Sequence, residues 1–286
     1  MVEATLVHRS LRSELRAMLA IANKEWIIFR RYPSWFVAFL IWPVLFPLAY
    51  IFPARALAGP QGLALATFSR LAGTRDYISF IVIGTTIYMW FNITLWDVGL
   101  LLRNEQMRGT LESNWLCPVW RISILLGGSL TKLLTALFFL TATIIECRLL
   151  FGIQLLRGNL ALLLVSLILL IPCIYGLGIA FGSLVLRFQE SNALVLFMRG
   201  LVAIFCGMTF PVAVLPHWMQ IIAAWLPFTY AMHAIRAVSL SQANLAAVWP
   251  DLAHLLVFAI VLPIAGYAAF RFTERQARRT GVLGHY

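Results

Sequence analysis

The sequence predicts an all-α polytopic membrane protein, a single transmembrane domain over residues 1–286 with six membrane-spanning helices. Of its 286 residues, 62% are hydrophobic and only 12% are charged, and the mean hydropathy is +0.88. Soluble domains carry about 25% charged residues. Long apolar runs also recur along the chain, at the length of about 20 residues that crosses a bilayer as a helix. Lipid must therefore cover most of the surface.

Residues 10–31 come before the first apolar run and are amphipathic. This pattern is typical of a helix that lies in the membrane interface with its basic face toward lipid headgroups, and a solvated helix is the alternative. The first residues are polar and basic, without a short apolar segment and a cleavage site, which argues against a removed signal peptide. The apolar positions at helical spacing are Leu11, Leu15, Met18, Ala22, Trp26 and Phe29, and the polar ones are Arg12, Arg16, Asn23, Lys24 and Arg30.

The apolar runs give the six spans in order. The first contains Pro43 and Pro47, whose freed carbonyls neighbouring helices can satisfy. The second is longer than the hydrocarbon core requires, so it must tilt or protrude. Gly178 and Gly182 give the fourth a small face for close helix contact. The predicted spans are 35–52, 77–102, 122–151, 160–186, 192–211 and 252–270, with a loop over 54–76.

Residues 215–240 are apolar but do not fit a simple span. Pro216 and Pro227 bound a segment of about ten residues, which as a helix is about 15 Å long, half the hydrocarbon thickness. A second short helix over 229–238 carries His233 and Arg236. We therefore predict a re-entrant outer hairpin between spans five and six, with Trp218 and Tyr230 among its residues.

The distribution of basic residues sets the orientation. The net charge of +11 reflects contact with anionic lipid and the excess of basic residues in cytoplasmic segments, and not nucleic acid binding. Both termini are then predicted to be cytoplasmic, which requires an even number of spans. Sixteen of the 22 basic residues fall in the segments predicted to be inside, and the six predicted to be outside are Arg55, Arg70, Arg75, Arg148, Arg157 and Arg236.

Motifs for chemistry are missing from the sequence. It has no phosphate loop, and the nearest segment, 127–132, has the wrong spacing. It also lacks the zinc-protease, C-x-x-C and G-x-S-x-G motifs. The four cysteines are scattered, and His217, His233 and His254 could only cluster near the predicted outer face. We therefore predict no catalytic residue, no metal site and no cofactor in this chain.

Few ionisable side chains lie inside the apolar runs. Asp97 is near the end of span two, where Arg103 or Lys132 could pair with it, and Glu146 lies beside Arg148. Arg199 lies about two turns into span five, where it either snorkels to the interface or faces a polar path or a partner subunit. The candidate translocation path comprises Asn92, Asp97 and Arg199.

Two segments resemble the ABC-2 type transporter permeases. The first is Arg108-Gly109-Thr110-Leu111-Glu112 followed by Leu116-Cys117-Pro118-Val119, which is similar to the "GTLE…L…SPV" segment of that family. The second is similar to the family's "FP…LP.W…LP.TY…R" ending and consists of Phe210, Pro211, Leu215, Pro216, Trp218, Leu226, Pro227, Phe228, Thr229, Tyr230 and Arg236. The Leu-Pro before Phe228 is closer to the daunorubicin-resistance and lipooligosaccharide branch.

The resemblance implies the membrane half of a type V ABC exporter in the bacterial cytoplasmic (inner) membrane. Two copies would form the membrane unit. ATP and Mg would bind two separate ATPase chains, so this chain would not be an enzyme itself. Residues 10–31 would be the connecting helix, spans two and five would line the path, and the outer hairpin would cap it. The coupling helix over 103–118 would contact the ATPase through Glu105, Arg108, Gly109, Thr110, Leu111 and Glu112.

The residues themselves support part of this assignment and leave alternatives. Along a helix over 103–118, Arg108 lies three residues from Glu105 and four from Glu112, so these charges could pair. Gly109 would permit close approach to a partner backbone, whereas a solvated loop is the alternative. Apolar and aromatic spans suit an amphiphilic or hydrophobic substrate such as a lipid, glycolipid or drug. The competing functions are a secondary carrier or channel not driven by ATP, and an intramembrane enzyme.

Overall fold

The computed structural model describes residues 10–58, 63–155, 158–185 and 191–280, and all regular structure in these ranges is helical. A 3-10 turn, Val212–Val214, lies between the ninth and tenth α-helices. The helices are α1 (Leu11–Arg31), α2 (Ser34–Ala58), α3 (Leu63–Ala72), α4 (Tyr77–Asp97), α5 (Leu101–Met107), α6 (Leu111–Leu116), α7 (Arg121–Phe151), α8 (Leu160–Val185), α9 (Ser191–Phe205), α10 (His217–Ala224), α11 (Pro227–Ser241) and α12 (Leu245–Thr280).

Five stretches of the described chain are long and apolar enough to cross a membrane, so the protein is a multi-pass membrane protein. The bent pair α10 and α11 would add a sixth if it crossed as one unit. The predicted fifth span is shorter than expected, because α9 ends at Phe205 and Gly207 then adopts a φ of 65°. The five stretches are Ser34–Leu57, Tyr77–Met107, Arg121–Phe151, Leu160–Val185 and Leu245–Gln276.

Helix α4 lies at the centre of the bundle. Sixteen of its 21 residues are buried, and α2, α7, α8, α9 and α11 pack around it. Its start is capped by Asp76, whose carboxylate accepts hydrogen bonds from the backbone N–H and the hydroxyl of Ser79 at 3.0 and 2.5 Å. Because α4 is enclosed by the rest of the chain, little of it is left to contact lipid.

Helix α8 packs closely on two neighbours through small residues. A Cβ atom added to Gly176 would lie 2.6 Å from the backbone of Leu262, and one added to Gly266 would lie 2.5 Å from the carbonyl oxygen of Gly176. The backbones of α8 and α12 therefore touch. Gly178 and Gly182 lie against the end of α4 and the turn after it, which confirms the predicted small face.

Several boundaries differ from the predictions. The predicted loop over 54–76 contains α3, and α12 begins at Leu245 and runs through Pro250 and Pro263. The predicted single coupling helix over 103–118 is wrong: it is divided into α5 and α6, because Gly109 adopts a φ of 68° that a helix cannot contain. Residues 215–240 form α10 and α11, which meet at 90°, and their placement as a re-entrant outer hairpin stays a prediction. Residues 1–9, 186–190 and 281–286 of the predicted segments lie outside the described structure.

Helix α1 is amphipathic as predicted, but only part of its apolar stripe packs inward, where Phe29 is buried. Its start is capped by Ser10, and it lies along α7 with Glu14 and Glu25 buried. Leu11, Leu15 and Leu19 are exposed instead. An exposed leucine stripe on a surface helix suits contact with the membrane interface.

Candidate functional site

A cavity of 680 Å³ beside α4 brings the three predicted path residues together. Asn92 and Asp97 line it from α4, and Arg199 lines it from α9. Residues of α1, α2, α5 and α7 complete the wall. Much of this wall is aromatic, including Phe29, Trp35, Phe39, Trp42, Phe46 and Trp96.

Helical spacing explains which side chains of α4 reach the cavity. Met89, Asn92 and Trp96 follow one another at intervals of three and four residues and so share one face. The faces on either side of this stripe carry Tyr88 and Trp90 into the apolar core. One stripe of an otherwise enclosed helix is therefore open to the cavity.

Asp97 pairs with Lys132 of α7. The carboxylate and the ammonium are 3.4 Å apart, and both side chains are partly exposed to the cavity. This confirms one of the two predicted partners, since Arg103 instead donates a hydrogen bond to the side-chain oxygen of Gln106 at 2.8 Å. Glu146, predicted to pair with Arg148, keeps one buried carboxylate oxygen without a hydrogen-bond partner among the described residues.

Arg199 has a different environment. Its guanidinium makes no ion pair within the described ranges, and its Nε is buried without an acceptor. Its backbone oxygen accepts a hydrogen bond from the hydroxyl of Tyr88 at 3.4 Å, and the Tyr88 ring stacks on Phe46 with centroids 5.7 Å apart. Arg199 therefore occupies an aromatic end of the cavity.

Glu105 organises the predicted coupling segment. Its carboxylate accepts hydrogen bonds from Lys24 at 2.6 Å, from Thr110 at 2.5 Å and from Asn114 at 2.7 Å. These bonds fold α5 and α6 into a helical hairpin, which we call the α5–α6 hairpin, and tie it to α1. The predicted pairing of Glu105 with Arg108 is wrong, because Glu105 is buried against α1 whereas Arg108 is exposed.

The other coupling residues lie along the same hairpin. Gly109 forms the turn, and the backbone N–H of Thr110 donates to the Glu105 carbonyl oxygen at 3.0 Å. Leu111 and Glu112 are the first residues of α6, and their side chains lie outside the described structure. The pairing of Arg108 with Glu112 therefore stays a prediction.

Two further contacts at this end of the bundle could not be found from local spacing. The buried Glu14 of α1 accepts hydrogen bonds from the backbone N–H of Trp120, at 3.1 and 3.0 Å, and from the hydroxyl of Ser123, at 2.7 Å. Arg121 at the start of α7 pairs with the buried Glu274 of α12. Helices α1, α7 and α12 are thereby joined through charged side chains.

Arg236 of α11 is buried, although it is one of the six basic residues predicted to lie outside. Its guanidinium donates to the carbonyl oxygens of Phe80, at 3.0 and 3.2 Å, of Gly207, at 2.8 Å, and of Met208, at 2.6 Å. The guanidinium carbon also lies 3.4 Å from the centre of the Phe80 ring. Arg236 thus joins α11 to the start of α4 and to the turn after α9.

Gly84 leaves the space that this arrangement needs. A Cβ atom there would lie 1.9 Å from the carbonyl oxygen of Met208 and 2.2 Å from Nη2 of Arg236. No side chain larger than hydrogen fits without displacing the backbone. No local pattern predicts this requirement, because the contacting residues are far apart along the chain.

The remaining hairpin residues define its two helices. Pro216 precedes α10, and Pro227 is the first residue of α11, where a missing N–H costs nothing. Trp218 is exposed, and the Tyr230 hydroxyl donates to the Ala224 carbonyl oxygen at 3.0 Å across the bend. The histidines that could have clustered have separate partners: His233 contacts Asp251 at 2.6 Å and His254 stacks on Tyr230. No group of three metal-binding side chains forms within the described residues.

Comparison with known proteins identifies the family of this chain. No curated protein matches the sequence. Residues 55–268 match the family model described as an ABC-2 family transporter protein, and the matched range runs from the end of α2 into α12. It includes the cavity face of α4, the α5–α6 hairpin and the buried Arg236. This chain therefore belongs to the ABC-2 transporter family, whose members are membrane components of ABC transporters.

Proposed function

We propose that this chain is the permease subunit of an ATP-driven exporter that moves an amphiphilic or hydrophobic substrate out of the cytoplasm. The observation that carries the proposal is the 680 Å³ cavity, whose largely aromatic wall also contains Asn92, Asp97 and Arg199. Aromatic side chains suit the apolar part of an amphiphile, and a few polar groups suit its head. Glu105 and Arg108 of the α5–α6 hairpin line the same cavity. Movement of the hairpin would therefore change the cavity directly.

The energy would come from a partner. Permeases of this family generally pair with an ABC ATPase subunit, and this sequence has no phosphate loop of its own. ATP and Mg would bind the partner, with two ATPase copies for each membrane unit. The α5–α6 hairpin supports docking because it exposes two apolar side chains, Met107 (72% exposed) and Leu116 (86% exposed), beside Arg108. Apolar exposure of this kind favours a protein contact.

The membrane unit would be a dimer of two copies of this chain. Leu196, Phe197 and Ile204 form an exposed apolar face on α9, and Gly200 on the same helix has open space around it. Small and apolar residues on one face suit close helix packing within a membrane. A strictly monomeric complex that still transports would contradict this part of the proposal.

The chain would lie in the bacterial cytoplasmic membrane with both termini inside and the α10–α11 pair on the outer side. Replacing the exposed Cys117 with serine removes a background thiol, after which single cysteines at His217 and at Gln242 should react with an impermeant reagent added outside. Reaction of either position only from the cytoplasmic side would contradict the orientation. A cysteine at Met107 should react only after the membrane is opened.

The coupling role is tested on the complex with its ATPase. Arg108→Ala, Glu112→Ala and Gly109→Leu should each reduce substrate-stimulated ATP hydrolysis or release the ATPase, while the chain still inserts in the membrane. Arg70→Ala, on the exposed end of α3, is the matched control and should behave as the unmodified complex. Unchanged assembly and stimulation in all three variants would reject the α5–α6 hairpin as the coupling element. Transport by the chain without its ATPase would instead support a secondary carrier.

A further inference from the structure

The charged residues of the cavity wall are unequally paired. Its acidic side chains have lysine partners: Asp97 is 3.4 Å from Lys132, and Lys24 lies 2.6 Å from Glu105 and 3.7 Å from Glu25. Lys132 serves Asp97 alone, whereas Glu25 and Glu105 share Lys24 where α1 and α5 meet. Each acid on the described part of this wall therefore has a lysine partner.

Arg199 is the exception on this wall. It has no carboxylate within ion-pair distance among the described residues, and its Nε has no acceptor there. Arg108 also makes no ion pair in the described structure, but its side chain is exposed, whereas Arg199 is half-buried and its Nε is fully buried. Arg199 lies instead near the stacked rings of Phe46 and Tyr88. A charged group within a membrane protein is unfavourable unless an opposite charge or water meets it.

We propose that Arg199 binds the anionic headgroup of an amphiphile whose apolar chain lies against the aromatic wall formed by α2. The inference rests on the proposed function and names its substrate class: a lipid-like molecule bearing a phosphate or another oxyanion. A guanidinium presents several donors in one plane, which matches the oxygens of such a headgroup. Phe39, Trp42 and Phe46 of α2 supply apolar surface for the chain.

The enclosed position of α4 allows the proposal to be tested inside the cavity. Lipids on the outside of the bundle cannot reach residues 89–97, except through the cavity that Met89, Asn92, Ile93, Trp96 and Asp97 line. Residues 256–264 of α12 carry exposed apolar side chains and report on ordinary surrounding lipid. The ratio of labelling in residues 89–97 to labelling in residues 256–264 thus measures occupancy of the cavity.

The experiment uses the permease–ATPase complex in nanodiscs of neutral lipid, without ATP. Two photoactivatable probes with the same chains are compared, phosphatidylglycerol and phosphatidylcholine, and the cross-linked peptides are mapped by mass spectrometry. Labelling of residues 89–97 should favour phosphatidylglycerol about tenfold, which corresponds to ~1.4 kcal/mol. Arg199→Gln should reduce this ratio to about one, and Arg199→Lys should retain a preference because it keeps the charge. The exposed Arg148→Gln is the matched control and should retain the full ratio.

Four results would overturn the inference. Equal labelling by the two probes in the unmodified complex would remove the headgroup preference, and an unchanged ratio in Arg199→Gln would assign the preference to another residue. Loss of the dimer in Arg199→Gln, without any headgroup preference in the unmodified complex, would assign Arg199 to a contact between copies. Competition by millimolar inorganic phosphate as strong as by a short-chain anionic lipid would show an anion site without a lipid requirement.

The proposed function fails on a different measurement. ATP-driven transport is measured separately on the same complex, whereas the labelling needs no nucleotide. A headgroup preference without transport would leave the binding inference standing, and transport without a preference would reject only the substrate class. The comparison of two probes in the unmodified complex gives a result even when Arg199→Gln does not fold.

Discussion

The two ends of the bundle hold their charged side chains in different ways. At one end, Arg236 donates only to backbone carbonyl oxygens and has no carboxylate within ion-pair distance in the described structure. At the other end, charged side chains bind one another in pairs such as Lys24 with Glu105 and Arg121 with Glu274. Backbone acceptors are fixed by the helices that carry them, whereas side-chain pairs can exchange partners. The first arrangement suits a permanent join and the second a segment that moves.

The strongest test of this comparison is Arg236→Met. The buried carbonyls of Phe80, Gly207 and Met208 would lose their donor, at ~1 to 3 kcal/mol for each unsatisfied group. We expect a loss of about 3 kcal/mol or more, seen as a large fall in the thermal unfolding midpoint of the detergent-solubilised chain. Arg70→Met is the exposed control. A midpoint equal to that of the unmodified chain would show that Arg236 does not hold this end together.

Gly84→Ala tests the same join without removing a charge. The added methyl group would overlap the carbonyl oxygen of Met208 and the guanidinium of Arg236, so the helices must separate. Overpacking of this kind costs about 1 to 3 kcal/mol. In the monomeric chain, where the proposed dimer face of α9 is free, Gly200→Ala adds the same group with nothing within 4 Å and should leave the unfolding midpoint unchanged or raise it. Equal midpoints for the two variants would contradict the described contact.

Glu105→Ala tests the end at which side-chain pairs hold the α5–α6 hairpin. Lys24, Thr110 and Asn114 would lose their common acceptor, which we expect to weaken the α5–α6 hairpin by about 1 to 3 kcal/mol. Amide hydrogen exchange over residues 101–116 should rise, while the global unfolding midpoint changes less than in Arg236→Met. The double variant Lys24→Glu, Glu105→Lys should recover part of the protection. If exchange is unchanged in Glu105→Ala, the hairpin is held by other contacts.

The smallest expected effect is at Asp97 and Lys132. Both side chains are partly exposed, so solvent screens the pair, and a double-mutant cycle should give a coupling of about 0.2 to 1 kcal/mol. The variants are Asp97→Asn, Lys132→Gln and both together, compared by unfolding midpoint. A coupling of several kcal/mol would mean that this pair joins α4 to α7 as firmly as Arg236 joins its helices.

Local patterns predicted the features that depend on neighbours in sequence. The apolar runs indicated α2, α4, α7, α8 and α12, and the two prolines indicated the division between α10 and α11. The spacing of apolar residues in 63–72 was also sufficient to indicate α3, which the prediction treated as loop. Asp97 and Lys132 were paired correctly because both were expected near the same ends of adjacent spans.

Contacts between distant segments could not be predicted in the same way. Arg236 binds carbonyls that any residue could supply, 156, 29 and 28 positions away, so no sequence pattern identifies its acceptors. Glu105 had a plausible local partner in Arg108, but Lys24, 81 positions away, is the one that it binds. Gly109 was predicted to permit close approach to a partner. In the structure its positive φ also ends α5.

The contact between α8 and α12 has a consequence for how the chain is made. Gly176 and Gly266 lie together in the folded protein, but 90 residues separate them in the sequence. At about 5 to 20 residues per second, the ribosome would need roughly 5 to 18 s to synthesise the second glycine after the first. During that interval α8 is in the membrane without the helix that covers its glycine face. Assembly of the bundle is therefore completed only when the last helix leaves the insertion machinery.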